Sequence, residues 1–589
     1  MSLKQAAKDR LLWAIRQVVL PFGRVILLLD HHSLRIVSAC CSVSELMDEG
    51  VDLVEIIAKR RQPLRSKVAL YLISDESGAL DQFIADFDPG NELYKAAFVI
   101  FNYHLSDDLE LRKIAEKVEI DRILGCTELH LNFLAYEERI FHGNLGFTLL
   151  NLYQHEASFV HRVASRLASL CSTIRALPII KYQQCGTGLP EKLAKAAQTL
   201  IRDTSPEDAN QSNDMLIIID RSFDVVPLVI HEYTYQAFVY DMLRIPCCSD
   251  PKDHQTDDVW EFEYVSNSGK HEKRKALLTG DKDVLWHRFR HMHIQKVNEA
   301  VSEEVEKFTK QATGTSLKRS SRTQDVLTVV RGLPKTQYMM EKYWAHVSLT
   351  ERSFEQLEAK RIMNVGALEQ VLATNLDRHG SKQSHSKTLN QLLAMVEDVT
   401  VDEELKIRLI ILYFAVYRNL RQDNLSEILK VSGLCNSSMD IIGRFIDIYL
   451  ASTTIACSPN SPRSSSSSHK IIHRHAEKGD AYQYYKKHAE KNEYELSRYI
   501  PEIQHIIARV VAGTLEEEKF PTLHEGPSSN TQKAVTEDRR IVVYVVGGIT
   551  LSEMRVVYDI SEKTKANIYL GGDSILVPSA IFDNMKKAI

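Results

Sequence analysis

The chain has 589 residues, 44% hydrophobic and 26% charged, with a formal net charge of −5. That length exceeds a single core and fits about three or four domains, and the charge balance excludes a global pull toward nucleic acid or anionic membrane. Nine cysteines without a C-x-x-C spacing, including the adjacent pairs Cys40-Cys41 and Cys247-Cys248, read as reduced thiols and not as a disulfide framework.

Met1 to Val19 mixes Lys4, Lys8, Asp9, Arg10 and Arg16 with Leu11, Leu12, Ile15 and Val18 at helical spacing, and shows no continuous apolar signal segment. Val25 to Leu29 is an apolar run stopped by Asp30, the pattern of a buried parallel strand reaching the carboxyl edge of a sheet. Leu34 to Val37 reads as a second extended piece. Ser42-Val43-Ser44-Glu45 has capping-box spacing, and Gly50 sits where a left-handed helix terminator belongs. Val51 to Ile57 resumes a strand, closed by Lys59-Arg60-Arg61. Asp30, Arg35, Glu55, Lys59, Arg60 and Arg61 thus make a charged rim at the end of a sheet, where partners dock. Strands at Val68 to Ile73, Ala96 to Phe101 and Leu129 to Phe133 alternate with helices at Leu80 to Phe87 and Leu109 to Val118, which implies a parallel sheet covered on both faces. A first boundary falls near Tyr136.

Phe159 to Ile174 is helical, Met215 to Ile219 is a strand ending at Asp220, and Glu232 to Leu243 is a helix. This second α/β unit has too few strands to close. From about Ile245 the pattern turns mainly helical, with a long helix at Val284 to Phe308, helical faces at Val326 to Leu333 and Tyr338 to Glu358 separated by Pro334, a loop at Thr374 to Thr388, and helices at Glu404 to Tyr417, Asp423 to Val431 and Met439 to Leu450. Ser458 to Ser468 is low-complexity. Ile541 to Val546 and Asn567 to Gly571 return as strands, with a second capping box at Thr550-Leu551-Ser552-Glu553 between them. These late strands are able to complete the unfinished sheet, which makes the helical block an insertion.

No catalytic constellation emerges. Asp30 and Asp220 lack the second carboxylate two residues on that a phosphatase nucleophile requires. Gly186-Thr187-Gly188 has no strand leading into it and no Gly-Lys-Ser/Thr after it, so a loop is the favoured reading. Gly547-Gly548 reads as a tight turn, and His287 with His291 lacks a third metal ligand. Neither a cofactor nor a metal is implied.

The stretch from Val25 through LLLDHHSLRIVSACCSVSELMDEGVDLVEIIAKRRQPL resembles the SM family, the syntaxin-binding regulators of SNARE-mediated vesicle fusion, most closely its exocytic branch. The likeness recurs at Asp220-Arg221-Ser222-Phe223-Asp224, at Leu285-Trp286 with Arg290 to Ile294, and at Gly547-Gly548-Ile549 with Glu553-Met554-Arg555. It implies an α/β plus α three-domain arch. Domain one would span residues 1–136, domain two residues 137–245 and 477–589, and an inserted, mainly helical domain three residues 246–476, with a helical hairpin around 324–358. It implies a non-enzymatic protein that chaperones syntaxin and regulates or templates SNARE assembly in docking and fusion. Such a protein would be cytoplasmic and recruited peripherally to plasma or vesicle membranes through syntaxin. By local match, Asp30, Leu34, Arg35, Glu55, Lys59 and Arg60 would line the central cavity on the syntaxin side. Leu111, Ile123, Cys126 and Glu128 would form an outer pocket for the syntaxin N-terminal peptide. Pro334 and Val347 would belong to a hairpin that meets a vesicle SNARE and the assembling bundle. The sequence departs from the family pattern at Ser42, Gln62 and Leu111. Two alternatives stay open: an SM protein of endosomal or Golgi traffic, and a nucleotide-dependent α/β enzyme.

Overall fold

The computed structural model describes residues 2–75, 78–88, 93–105, 109–145, 156–204, 213–249, 256–265, 271–313, 337–417, 422–450, 485, 494–523 and 539–587. Strands β1 (Val25–Leu29), β2 (Val51–Ile56), β3 (Leu64–Ile73), β4 (Tyr94–Phe101) and β5 (Ile123–Glu128) form an all-parallel sheet in the order β2-β1-β3-β4-β5. Alternate β1 side chains serve different cores. Val25, Leu27 and Leu29 pack with Leu11, Ile15 and Val18 of the Leu3–Phe22 helix, whereas Ile26 and Leu28 pack with Phe83, Ile84 and Ile114. A strand buried on both faces has no polar position to offer, so it reads as an uninterrupted apolar run.

Two expectations in this region are corrected. Leu34 to Val37 is not extended: it lies in the His31–Cys40 helix, whose buried residues His32, Ser33, Ile36 and Val37 form a helical stripe. Leu129 to Phe133 alternates in sequence but forms no strand. Its backbone bonds to the end of β4 (Leu129 N–H to Phe101 O, 2.7 Å; Leu131 N–H to Asn102 O, 2.8 Å) and carries the chain into a second sheet.

That sheet contains β6 (Leu134–Ala135), β7 (Ile140–His142), β8 (Ile179–Tyr182) and β9 (Met215–Asp220). A separate antiparallel hairpin, β10 (Val259–Val265) and β11 (His271–Leu277), follows. The chain returns to the second sheet only with β12 (Arg540–Val546), and after the short β13 (Ile549–Thr550) adds β14 (Asn567–Gly572). The order is β6-β7-β14-β12-β9-β8, with β12 between β14 and β9. The C-terminal strands therefore complete the sheet, and the helical block is inserted between two neighbouring strands. β8 does lead into the Gly186-Thr187-Gly188 turn, against expectation; its short run beside Lys181 left too little pattern to read.

Within the insertion, the long helix expected from Val284 is two helices, Val284–Phe289 and Ile294–Thr313. Tyr235 N–H donates to Met292 O (2.8 Å) and Gln236 N–H to Arg290 O (2.9 Å), drawing that backbone away from helical pairing. The expected loop at Thr374 to Thr388 is a short link between helices Ile362–Thr374 and His385–Glu397. The β10–β11 hairpin was not expected in a mainly helical block. Val326 to Pro334 and Ser458 to Ser468 lie outside the described residues.

The second sheet is the wall on which the molecule is built. Val542, Tyr544 and Val546 of β12 share a core with Leu11, Leu27 and Leu167, while Ile541, Val543 and Val545 share one with Trp286, Leu409 and Ile410. One face thus carries the first α/β domain and the other the helical block, giving a three-domain arch of two parallel-sheet domains with the helical domain inserted in the second.

Candidate functional site

The carboxyl end of the first sheet bears the charged rim, and its members divide into exposed and committed groups. Lys59 and Arg60 are exposed, and neither side chain has a partner among the described residues. Glu55 is half-buried and accepts from Tyr94 Oη at 3.0 Å. Asp30 is only 5% exposed. It caps the next helix by accepting Ser33 N–H at 2.7 Å, and it also accepts Ser74 N–H at 2.6 Å. Burial pushes its carboxyl above the usual range against the pull of those donors. Arg61 is committed too, in a bidentate pair with Asp86 at 2.7 and 2.8 Å.

The rim residues do not share one face. An irregularity between Val25 and Ile26 sets Leu28 beside Glu55, so Glu55 points to the face that holds Phe83. Leu34 packs on the opposite face with Leu27 and Leu29. Arg35 follows it there and spans two domains: it pairs with Asp257, and its Nη1 donates to Ser249 O at 3.2 Å. This bridge borders a cleft of about 590 Å³ lined also by Lys4, Tyr136, Asp281 and Arg290. One residue escaped the sequence reading. Leu53 is 40% exposed on the edge strand β2, two residues from Glu55 and on the same face. An apolar residue in a strand reads as core, so nothing in the sequence marked it.

The outer pocket depends on a β-bulge. Ala97 pairs with Ile123 but Phe98 pairs with Gly125, so Leu124 is an extra residue in the ladder. The slip turns Ile123 to the same face as Cys126 and Glu128, which regular alternation would forbid. Gly125 allows it, because a Cβ there would meet Phe98 Cε2 at 2.7 Å. The Leu109–Lys117 helix sends Ile114 into the core of that face and leaves Leu111 36% exposed. Cys126 is exposed. Glu128 is occupied: Oε1 accepts Leu105 N–H at 3.1 Å, and Oε2 meets His104 Nδ1 at 2.9 Å and His130 Nε2 at 3.3 Å. Burial lowers His130 to about 4, so the ring is neutral.

Val347 was expected in the hairpin that meets a vesicle SNARE. It is 2% exposed on the Gln337–Ala359 helix, which packs against the Tyr235–Leu243 and Ile294–Thr313 helices and β10. Pro334 lies outside the described residues.

The motifs at Asp220 and Gly547 meet each other. Arg221, 1% exposed, donates to both carboxylate oxygens of Glu553 at 2.8 and 2.7 Å, across 332 residues of chain. The third motif joins nearby, with the Arg290 guanidinium 4.9 Å from the centre of the Tyr558 ring. Among the described residues no helix is long and apolar enough to cross a membrane.

Comparison with known proteins gives this arrangement a lineage. Protein transport protein sec1 of Dictyostelium discoideum is 28% identical over 636 residues, covering 99% of this chain and 98% of its own. An Unc18 protein from Monosiga brevicollis, solved in complex with syntaxin 1, matches in fold with a TM-score of 0.82 at 24% identity, covering 100% of this chain and 99% of that one. The SM protein Vps45, solved in complex with the Qa SNARE Tlg2, matches with a TM-score of 0.74 at 18% identity, over 100% and 98% of the two chains. The pattern of the Sec1 family matches residues 25–584, and the chain belongs to that family.

Proposed function

We propose that this protein binds a syntaxin-type SNARE, chaperones it, and promotes SNARE-complex assembly in exocytic vesicle docking and fusion, without catalysing a reaction. The observation that carries this reading is the whole-chain agreement in fold with an Unc18 protein solved with syntaxin 1. Lys59, Arg60, Glu55 and Leu53 supply a surface suited to it: uncommitted cations beside a carboxylate and an exposed aliphatic side chain on an edge strand. The outer face around Leu111, Ile123 and Cys126 suits the apolar residues of a short N-terminal peptide. The hairpin region that includes Pro334 would meet the vesicle SNARE, and recruitment to plasma or vesicle membranes would run through the bound SNARE.

The test is calorimetric titration against full-length and N-terminally truncated syntaxins of the exocytic, endosomal and Golgi pathways. Breaking an interfacial charge contact costs about 2–5 kcal/mol. The double reversal Glu55→Lys with Lys59→Glu should therefore weaken the cognate full-length syntaxin tenfold or more, with the thermal melt unchanged. Unaltered affinity removes the rim from the interface. The agreement with Vps45 supports an endosomal assignment as the second reading, and preference for an endosomal syntaxin in the same panel would select it.

A further inference from the structure

His104, Glu128 and His130 converge at the carboxyl ends of β4 and β5. Both ring nitrogens approach one carboxylate oxygen, Glu128 Oε2, at 2.9 and 3.3 Å. The two imidazole centroids are 5.9 Å apart. Among the described residues this is the group of three histidine, cysteine or carboxylate side chains whose ligand atoms all lie within 4.8 Å of one another. We propose that His104, Glu128 and His130 form a zinc-binding site on the outer face of the first domain.

Three observations support the assignment. The spacing fits, since zinc bonds of about 2.0–2.1 Å in a tetrahedron separate ligand atoms by about 3.3 Å. The donor set of two imidazoles and one carboxylate suits zinc and other borderline transition metals, and hard cations such as magnesium or calcium prefer all-oxygen ligands. The site is also oriented from behind: Leu105 N–H fixes the second carboxylate oxygen, so the free lone pairs of Oε2 are aimed between the rings. Arg10, anchored on Leu129 O and on Ser172 Oγ, is a cation in the neighbourhood of His130. The three side chains leave a fourth tetrahedral position for water or for a donor atom from a docked segment. Glu128 is also a wall of the proposed peptide pocket, so zinc would withdraw its carboxylate from a bound peptide. That consequence rests on the pocket reading; metal binding does not.

The full-length protein, stripped by chelator, is titrated with zinc by calorimetry and with cobalt(II) by visible absorption. The expected result is one equivalent bound, with the intense bands of tetrahedral cobalt and a zinc-dependent rise in the melting temperature. His104→Gln and His130→Gln should each abolish all three signals, and His271→Ala, at an exposed histidine elsewhere, should leave them intact. Absence of stoichiometric uptake, or uptake unchanged in His104→Gln, overturns the site. A variant that melts like the metal-free parent but no longer responds to zinc separates ligation from folding. Titration of the syntaxin N-terminal peptide with and without zinc separates the two readings. A failed pocket shows no peptide binding in either state, and a failed metal site shows peptide binding that zinc does not alter.

Discussion

Ser42–Glu45 and Thr550–Glu553 are the same four-residue device at two places in the molecule. In each, the hydroxyl accepts the backbone N–H of the glutamate, and the glutamate accepts the N–H of the capping residue. Their surroundings differ. Glu45 also pairs with Lys8 at the surface, where the two side chains are 38% and 24% exposed. Glu553 is fully buried, and both its oxygens hold the guanidinium of Arg221 at the end of β9. The first box starts a six-residue helix; the second also joins the strands on either side of the helical insertion. A capping motif therefore specifies where a helix begins, while burial decides how much of the fold depends on it.

Glu553→Ala would leave Arg221 as an unpaired buried cation, at an expected cost of about 3–5 kcal/mol. Urea denaturation would read this as a large fall in the midpoint, and a cost below about 1 kcal/mol would put the two boxes on equal terms. Thr550→Ala isolates the cap from the ion pair and should cost about 1 kcal/mol by the same measurement. The smallest effect belongs to Glu45→Gln, below about 1 kcal/mol because the pair is screened by solvent. Its signature is in the pH dependence. The hydrogen bond from Lys8, aided by Ser42, holds the Glu45 carboxyl down to about 2. A depressed folded-state pKa adds stability above the unfolded value of about 4.3 and loses it as pH falls toward 2. Denaturation midpoints at pH 7 and pH 3 should therefore differ slightly less in Glu45→Gln than in the parent.

What was legible in the sequence follows the range of the forces involved. Both capping boxes, the strand ends at Asp30 and Asp220, and the left-handed Gly50 were readable because each is settled within a few residues. The insertion was readable because a sheet with too few strands demands completion. The break between Phe289 and Ile294 was not, since it depends on backbone bonds to Tyr235 and Gln236. The bulge at Leu124 was signalled only by Gly125, whose partner Phe98 sits on another strand. At the candidate site, the residue types were legible and their exposure was not. Asp30 and Val347 are withdrawn by tertiary packing, and Leu53 is left out of it. His104 lies far from Glu128 and His130 in sequence, so their convergence became visible only once β4 and β5 paired.

The placement of β12 between β14 and β9 has a consequence for how the chain is made. Arg540 bonds to Asp214 across 326 residues, so β9 leaves the ribosome long before its partner exists. At translation rates of about 5–20 residues per second, that delay is roughly 15 to 65 s. Throughout it, β9 presents one open strand edge and the apolar face of Ile217 and Ile219, whose covering helices are made later, while Leu216 and Ile218 face elements already made. The nascent chain is thus an aggregation hazard through most of its synthesis, and truncations that stop within the insertion should emerge as clients of the folding machinery and not as smaller, independently stable domains.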